Sequence, residues 1–458
     1  MMEYLNSPVQ KISLFFTQGH ARSIKAKKNI AISIIIRGIS IFTSFLLVPL
    51  CLHYIGSKEY GVWLTLSSIV LWVNFFDIGL GQGLRNKFAE AIAKGDKQLA
   101  KVYVSTTYAG ILIIVSSLFL LILLFNPFIS WCRVLNAPAY MSGQLEILVL
   151  FVFGFFLFRF VLGLLGIIIT ADQRPAISSS FDTLGNILAL LIIFLLTKIT
   201  KGSILYLGIT LNVSPLLIFL IASFYFFNND YKEYKPSLKS VDFKYFKELA
   251  SLGIQFFIIN IAVLVVFSSS NVIITQILGP EEVTAYNIAY KYFGMVTMFF
   301  GIIINPLWSA FTEAYVKEDF SWIKNTMKKL IQFWYLIAAG IIIMILLANT
   351  FYHLWVGKMV KVSFMLSAIM GIFIILSTWC NIWAYFINGT GKIRLSLYIA
   401  IFQAVVNIPL SIYFGKTLHL GSAGVVLGTC ASLIISAILA PIQYKKIVSK
   451  SDKGIWSK

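Results

Sequence analysis

The chain has 458 residues, of which 59% are hydrophobic and only 12% are charged, and its mean hydropathy is +0.87. Soluble domains carry roughly 25% charged residues, so this composition excludes a soluble globular protein and indicates a polytopic membrane protein. The net charge of +19 is dispersed among short connections. That dispersion argues against nucleic-acid binding, which needs a concentrated basic surface.

Apolar runs recur along the chain at lengths near the roughly 20 residues that cross a bilayer as a helix. They begin near positions 30, 60, 102, 146, 176, 203, 250, 284, 329, 362, 395 and 421. We therefore predict an all-α polytopic membrane protein of about 12 transmembrane helices. The first run is too long for a secretory signal peptide and lacks a small-residue cleavage pattern, so we expect the N-terminus to stay attached.

The positions of Lys and Arg predict the orientation of the chain. With a cytoplasmic N-terminus, 27 of the 37 Lys and Arg residues fall in inner segments and seven fall in outer loops. Because cytoplasmic loops carry an excess of Lys and Arg, we predict that both termini are cytoplasmic. The three that remain lie within spans: Arg37, Arg159 and Lys291.

The chain contains an internal repeat. Residues 75–96 align with 298–319 at a shift of 223, with the identical pairs Phe88/Phe311, Glu90/Glu313, Ala91/Ala314, Lys94/Lys317 and Asp96/Asp319, and Gly56 aligns with Gly279 at the same shift. Each half holds six predicted spans, so the halves share one orientation, and a site is expected near the midplane between them. This is the organisation of a transporter, although a purely structural bundle could also arise by duplication.

The repeat and the charge pattern together predict five segments. They are a cytoplasmic N-terminal segment at 1–29, an N-terminal six-helix bundle at 30–228, a cytoplasmic linker at 229–249, a C-terminal six-helix bundle at 250–444 and a cytoplasmic tail at 445–458.

Ionisable residues inside spans are functional candidates, because each costs about 2.5 to 3.5 kcal/mol on insertion scales. Arg37, Arg159 and Lys291 extend from the inner third to the outer third of the bilayer. We interpret them as substrate-binding cations that hold an anion such as phosphate, to which arginine binds bidentately. The alternatives are that Arg37 pairs with Asp77 or snorkels to the interface, and that Lys291 reaches the outer interface.

Two acidic residues, Asp77 and Asp182, lie near the cytoplasmic ends of the second and fifth predicted spans. Each is a candidate either for carrying a coupling proton or sodium ion, or for forming a structural ion pair. The sequence alone leaves both roles open.

Glycines follow Asp77 at alternate positions, Gly79, Gly81 and Gly83. Glycine accepts backbone conformations closed to other residues, so this run predicts a sharp turn or a close approach of two backbones. With Pro306 the three glycines are candidate hinge positions. The stretch 85–101 and its twin 308–324 are predicted to be amphipathic helices on the inner interface.

Other kinds of site are not visible in the sequence. The glycine run lacks the lysine and the preceding strand of a phosphate-binding loop. The outer loops are short, so we expect no catalytic domain there with the acidic pair of a metal-dependent glycosyltransferase, and the four cysteines have no metal or redox spacing. We therefore predict no enzyme activity, no metal and no cofactor.

Several stretches resemble bacterial polysaccharide exporters of the O-antigen flippase type, within the MATE-like superfamily of multidrug, oligosaccharidyl-lipid and polysaccharide exporters. They are "YIGSKEYGVWLTLSSIVLWVNFFDIGLGQGLRNKFAEAIAKGD" (54–96), "LGPEEVTAYNIAYKYF" (278–293), "PLWSAFTEA" (306–314), "FINGTGKIRLSL" (386–397) and "GSAGVVLGTCASL" (421–433). Together they cover essentially residues 30 to 445.

The resemblance implies two six-helix bundles that face each other across a central cavity and work by alternating access. It also implies a substrate, an oligosaccharide repeat unit linked to undecaprenyl pyrophosphate, which is carried across the bacterial inner membrane. It also implies membrane lipids as partners, with a polysaccharide polymerase and glycosyltransferases as further candidates. Related lipid II flippases place cations on their first and eighth spans, and Arg37 and Lys291 correspond to these by span.

Two other functions stay open. A multidrug or cation antiporter of the same fold would favour carboxylates over arginines in the cavity, and Arg159 counts against it. A membrane-embedded glycosyltransferase or polymerase would need a sizeable outer loop with acidic residues, which the sequence lacks.

Overall fold

The structure, a computed structural model, describes residues 21–73, 79–172, 174–250, 268–305 and 307–457. Within these ranges the chain is helical and contains no β-strand. The helices of the first half are α1 Ala21–Leu71, α2 Leu80–Ala93, α3 Lys97–Phe125, α4 Ser142–Leu162, α5 Leu164–Ala171, α6 Pro175–Ile199 and α7 Ile204–Asn228.

The second half repeats this pattern after a short connecting helix, α8 Phe246–Ala250. Its helices are α9 Ser270–Leu278, α10 Pro280–Ile304, α11 Leu307–Val316, α12 Phe320–Val356, α13 Phe364–Thr390, α14 Arg394–Ile412 and α15 Gly421–Val448. A short π-helical turn, Tyr413–Thr417, extends α14.

Ten segments in the described ranges are long and apolar enough to cross a membrane. The first, Ile32–Leu71, has 40 residues and would measure roughly 60 Å as a straight helix, twice the hydrocarbon thickness. Its backbone leaves the helical conformation at Gly56, which divides it into two spans. Of the predicted seventh span only the end, α9, is described. The arrangement confirms the prediction of about 12 helices in two six-helix bundles.

Equivalent glycines form the corners between the first two spans of each half. Gly56 has φ 78° and ψ 170°, and Gly279 has φ 97° and ψ 166°. Residues with a side chain rarely adopt this region, so glycine is required at both corners. The shift of 223 seen in the sequence is therefore a repeat of backbone geometry.

The other repeated residues also have matching roles. Phe88 and Phe311 are fully buried. Asp96 Oδ1 accepts the backbone N–H of Leu99 at 2.9 Å, and Asp319 Oδ1 accepts that of Trp322 at 3.0 Å. Lys94 and Lys317 form ion pairs with the glutamates one turn earlier, at 2.6 and 2.5 Å.

These aspartate caps correct the predicted interface helices. The helix expected over 85–101 is α2, which ends at Ala93, and Asp96 then starts the spanning helix α3. Likewise α11 ends at Val316, and α12 starts at Phe320 rather than near 329. An N-cap side chain satisfies a free backbone N–H of the helix that follows, so each aspartate divides one predicted helix into two.

The glycine run after the second span has two of its predicted properties. Gly79 has φ 79°, a left-handed conformation, and directly precedes α2. A Cβ on Gly83 would overlap the carbonyl oxygen of Leu249. The run therefore makes both a turn and a close backbone approach.

Residues of the predicted linker pack on the N-terminal bundle. Lys87 pairs with Glu248 at 2.5 Å, Lys97 with Glu233 at 2.8 Å and Arg174 with Asp230 at 2.7 Å. The hydrogen bond to Glu248 raises the pKa of Lys87. The linker is thus held to the first bundle by ion pairs.

We call the end that carries these ion pairs and the C-terminal tail the basic face, and the end with Gly56 and Gly279 the opposite face. The two bundles touch near the opposite face. There Thr65 Oγ1 lies 2.5 Å from Thr275 Oγ1, and Thr284 Oγ1 donates to the Ser57 carbonyl at 2.7 Å. A Cβ on Gly61 would overlap the Pro280 carbonyl oxygen.

Further contacts between the bundles lie in the same region. Gln276 Nε2 donates to the Val134 carbonyl at 2.7 Å, and Trp355 Nε1 donates to the Phe45 carbonyl at 2.9 Å. The hydrogen bonds found between the bundles in the described ranges all cluster toward the opposite face. The bundles are therefore closed against each other there.

This contact predicts an efficient cross-link. A double variant, Thr65→Cys with Thr275→Cys, in a chain whose four native cysteines are replaced by serine, should form a disulfide on mild oxidation because the two side chains touch. Adding Gly61→Ala should reduce the cross-linked fraction, since the new methyl group collides with Pro280. Mobility on a non-reducing gel measures that fraction.

Gly38→Ala is the matched control. It lies on the same helix, and a Cβ there has no neighbour within 4 Å. Equal cross-linking with and without Gly61→Ala, in protein of equal monodispersity, would contradict the close contact.

Candidate functional site

One face of α10 is open rather than packed. Asn287, Lys291, Gly294 and Met298 follow each other at spacings of four, three and four residues, so they lie on one side of the helix. A Cβ on Gly294 would have no neighbour within 4 Å, and Met298 is 56% exposed. This face of α10 borders free space.

Lys291 is half-buried on that face. It lies close to Cys51 of α1, at the boundary between the two bundles. Among the described residues it has no hydrogen-bond or ion-pair partner. Because a desolvated cation without a counter-charge is costly, this position favours an anionic ligand.

A polar layer separates Lys291 from the opposite face. Asn287 Nδ2 donates to Asn271 Oδ1 at 2.9 Å, and Asn271 Nδ2 donates to the Leu64 carbonyl at 3.4 Å. The Thr65–Thr275 contact lies next to it. Lys291, about 16 Å along α10 from Pro280, therefore lies on the basic-face side of a closed layer.

Arg37 lies on α1, nearer the basic face than Cys51. The two residues are 14 apart, about 21 Å and close to four helical turns, so they lie on nearly the same side of α1. Arg37 is exposed, and within the described ranges it has no ion-pair partner. No side chain from residue 32 to residue 42 is buried, so this part of α1 is accessible.

Arg159 has a different environment from the other two cations. It forms an ion pair with Asp182 of α6, and its guanidinium lies 5.5 Å from the ring centre of Phe219. Both partners line a cavity of about 490 Å³ inside the N-terminal bundle, together with Arg85, Thr170 and Ser178. Asp182 thus forms an ion pair in this structure, and its alternative role as a coupling residue stays a prediction.

The structure describes some of the other predicted site residues but not all of them. Asp77 and Pro306 lie outside the described residues. Gly81 lines the N-bundle cavity, while Gly79 and Gly83 shape the turn and the contact with α8. In the described part of the chain, no group of three or more His, Cys, Asp or Glu residues could hold a metal ion.

Sequence reasoning missed two components of the site. Arg85 belongs to the stretch 85–101, which the sequence predicts only as an interface helix, although it lies one turn after Gly81 and therefore on the same side of α2. The layer of Asn271, Thr275 and Asn287 was also missed. Its signal is present in the sequence as amide and hydroxyl residues within or beside apolar spans.

Comparisons with known proteins identify the family. The family described as "Polysaccharide biosynthesis protein" matches residues 26–311, and the MatE family matches residues 256–413. The first match covers more than half of the chain, and the second lies mainly in the C-terminal bundle.

Relatives match along almost the whole chain. A Yersinia pseudotuberculosis protein named for O-antigen export is 26% identical, covering 91% of this chain and 95% of the relative. A Salmonella typhimurium protein named as an O-antigen transporter is 23% identical, covering 92% and 95%.

Solved structures share the fold. An inward-facing multidrug resistance MATE family transporter superposes with a TM-score of 0.76 at 14% identity, covering 92% of this chain and all of that one. The lipid II flippase MurJ, in an inward closed conformation, superposes with a TM-score of 0.69 at 14% identity, covering 92% of this chain and 89% of that one. With its sequence match over 26–311 and two bundles of the MATE and MurJ type, the chain belongs to the polysaccharide biosynthesis protein family.

Proposed function

We propose that this protein is a flippase that moves undecaprenyl-pyrophosphate-linked oligosaccharide across the bacterial inner membrane by alternating access. The observation that carries the proposal is Lys291, a half-buried cation at the bundle boundary with no partner among the described residues. A pyrophosphate supplies the negative charge that this position lacks. The relatives named for O-antigen export and transport support the same substrate class.

In this proposal the basic face is cytoplasmic, because it carries most of the Lys and Arg residues. The closed opposite face then makes the present conformation accessible from the cytoplasm. Arg37 is the first cation on the path and Lys291 the deeper one, while the glycan occupies the polar space and the lipid tail stays in the bilayer. Export requires the contacts around Thr65 and Thr275 to open while the basic face closes.

A proton or sodium antiporter of multidrug type has less support. Such a carrier needs a carboxylate that titrates or binds a cation, and Asp182 is already paired with Arg159. Asp77 is the remaining candidate for a coupling residue. A polysaccharide polymerase and glycosyltransferases are proposed partners, because they would supply and consume the lipid-linked repeat unit.

The function is tested by depleting the protein from cells and measuring two pools. Undecaprenyl-linked oligosaccharide, quantified by mass spectrometry of lipid extracts, should accumulate while surface polysaccharide falls. If both pools stay constant while sensitivity to cationic drugs rises, the flippase proposal is wrong and the antiporter takes its place.

The role of Lys291 predicts a charge-dependent loss of transport. Lys291→Ala should reduce surface polysaccharide export about tenfold or more, the scale of one hydrogen bond to a charged group. Lys291→Arg should retain most export because it keeps the charge. Both are measured at matched amounts of protein in the membrane fraction.

Lys198→Ala is the control, since Lys198 is an exposed lysine at the end of α6 and is not one of the proposed substrate-binding cations. Full export by Lys291→Ala would remove Lys291 from the substrate path.

A further inference from the structure

The cavity inside the N-terminal bundle is separate from the path beside Lys291. Its walls come from all seven helices of the first half, α1 to α7, and its volume is about 490 Å³. Thr170 and Ser178 flank the turn between α5 and α6, at the basic face, and Asp182 lies about 6 Å deeper than Ser178 along α6. The cavity is thus a funnel that leads from the basic face to the Arg159–Asp182 pair.

The lining of this funnel has an excess of positive charge. Among the residues that the structure describes, its ionisable members are Arg85, Arg159 and Asp182, and together these three carry a net charge of +1. Arg85 is exposed and has no hydrogen-bond or ion-pair partner among the described residues. Of the two arginines in this lining, Asp182 neutralises only Arg159.

The Arg159–Asp182 pair is exchangeable. The two side chains are 33% and 52% exposed to the cavity, and ion pairs that water reaches contribute little to stability. The guanidinium has five N–H donors, and Phe219 holds its face by a cation–π contact. An incoming anion can therefore replace Asp182 without Arg159 having to move far.

We propose that this funnel is a second anion site, which takes a phosphate or pyrophosphate group between Arg85 and Arg159 and displaces Asp182 from its ion pair. Arg85 makes the first contact at the mouth. Arg159 then binds the anion bidentately, a geometry that suits guanidinium and phosphate. The identity of the anion as pyrophosphate rests on the proposed function, whereas the site itself rests on the cavity and its charges.

Because the anion competes with Asp182 for Arg159, the proposal predicts opposite changes in affinity for the acidic and the basic variants. Asp182→Asn removes the competing charge and should tighten binding of inorganic pyrophosphate about tenfold. Arg85→Ala and Arg159→Ala should each weaken it about tenfold or more, on the scale of charged hydrogen bonds. A purely structural ion pair predicts instead that Asp182→Asn and Arg159→Ala act in the same direction.

The measurement is isothermal titration calorimetry, in which inorganic pyrophosphate is added to the full-length protein purified in detergent. Arg133→Ala is the matched control, an exposed arginine at the opposite face. Thermal unfolding without ligand identifies any variant that fails to fold. Arg85 is exposed, so Arg85→Ala tests the site even if Arg159→Ala does not fold.

Lys291→Ala separates this site from the path between the bundles. It should reduce export and remove any pyrophosphate binding beside Lys291 itself, while the binding that Arg85→Ala and Arg159→Ala weaken persists. Three results would each overturn the second site. They are unchanged pyrophosphate affinity in both arginine variants, weaker pyrophosphate binding in Asp182→Asn, and a loss of binding confined to Lys291→Ala. Because the titration requires no transport, it can succeed or fail independently of the flippase assay.

Two sources could supply the phosphate, and nanodiscs distinguish them. If an anionic phospholipid headgroup enters the funnel, phosphatidylglycerol nanodiscs should weaken apparent pyrophosphate binding relative to phosphatidylcholine nanodiscs, and Arg85→Ala should remove that difference. Equal affinity in both lipids identifies the pyrophosphate of a substrate as the ligand.

Discussion

The contact between Gly61 and Pro280 is the constraint on which the rest of this structure depends. A side chain at position 61 would collide with the Pro280 carbonyl, so the two bundles can close near the opposite face only because glycine is present. Closure brings Thr65 to Thr275 and Asn271 to the Leu64 carbonyl. In a membrane these polar groups need partners, so a second conformation must either supply others or admit water.

The contact between Gly61 and Pro280 also determines which charged side chains are accessible from the basic face. With the bundles joined near the opposite face, the open faces of α1 and α10 are continuous with the basic face, and Arg37 is exposed along them. Lys291 lies just beneath the closed layer. The repeat builds the two corners alike, with Gly56 and Gly279 in the same backbone region.

The charges, in contrast, do not follow the repeat. At the shift that relates Gly56 to Gly279, Lys291 corresponds to Ser68, whose hydroxyl is bonded within its own helix. The duplication therefore supplies the symmetric scaffold for closure, and later divergence supplies an asymmetric set of cations.

The sequence predicted the scaffold well, because spans and repeats depend on local composition. Most of the spans begin within a few residues of the predicted positions. The ends of the interface helices were wrong because the caps were overlooked, although the Gly95-Asp96 pair is a recognisable stop and start signal. The site was less predictable, since Arg159 and Asp182 belong to different helices and only packing shows that they meet.

Arg159 is paired with Asp182, whereas Arg37 and Lys291 have no ion-pair partner among the described residues. This difference in pairing has a physical consequence for binding. In the proposed second site, two free arginines would bind a pyrophosphate strongly and release it slowly, because nothing would compete with the phosphate oxygens. In this structure Asp182 pairs with Arg159, which leaves Arg85 to make the first contact with the anion. A carboxylate that can return to Arg159 would also lower the cost of releasing the anion, because the arginine is not left unpaired. In this proposal Asp182 weakens binding in a way that favours turnover, which requires entry and exit in equal measure.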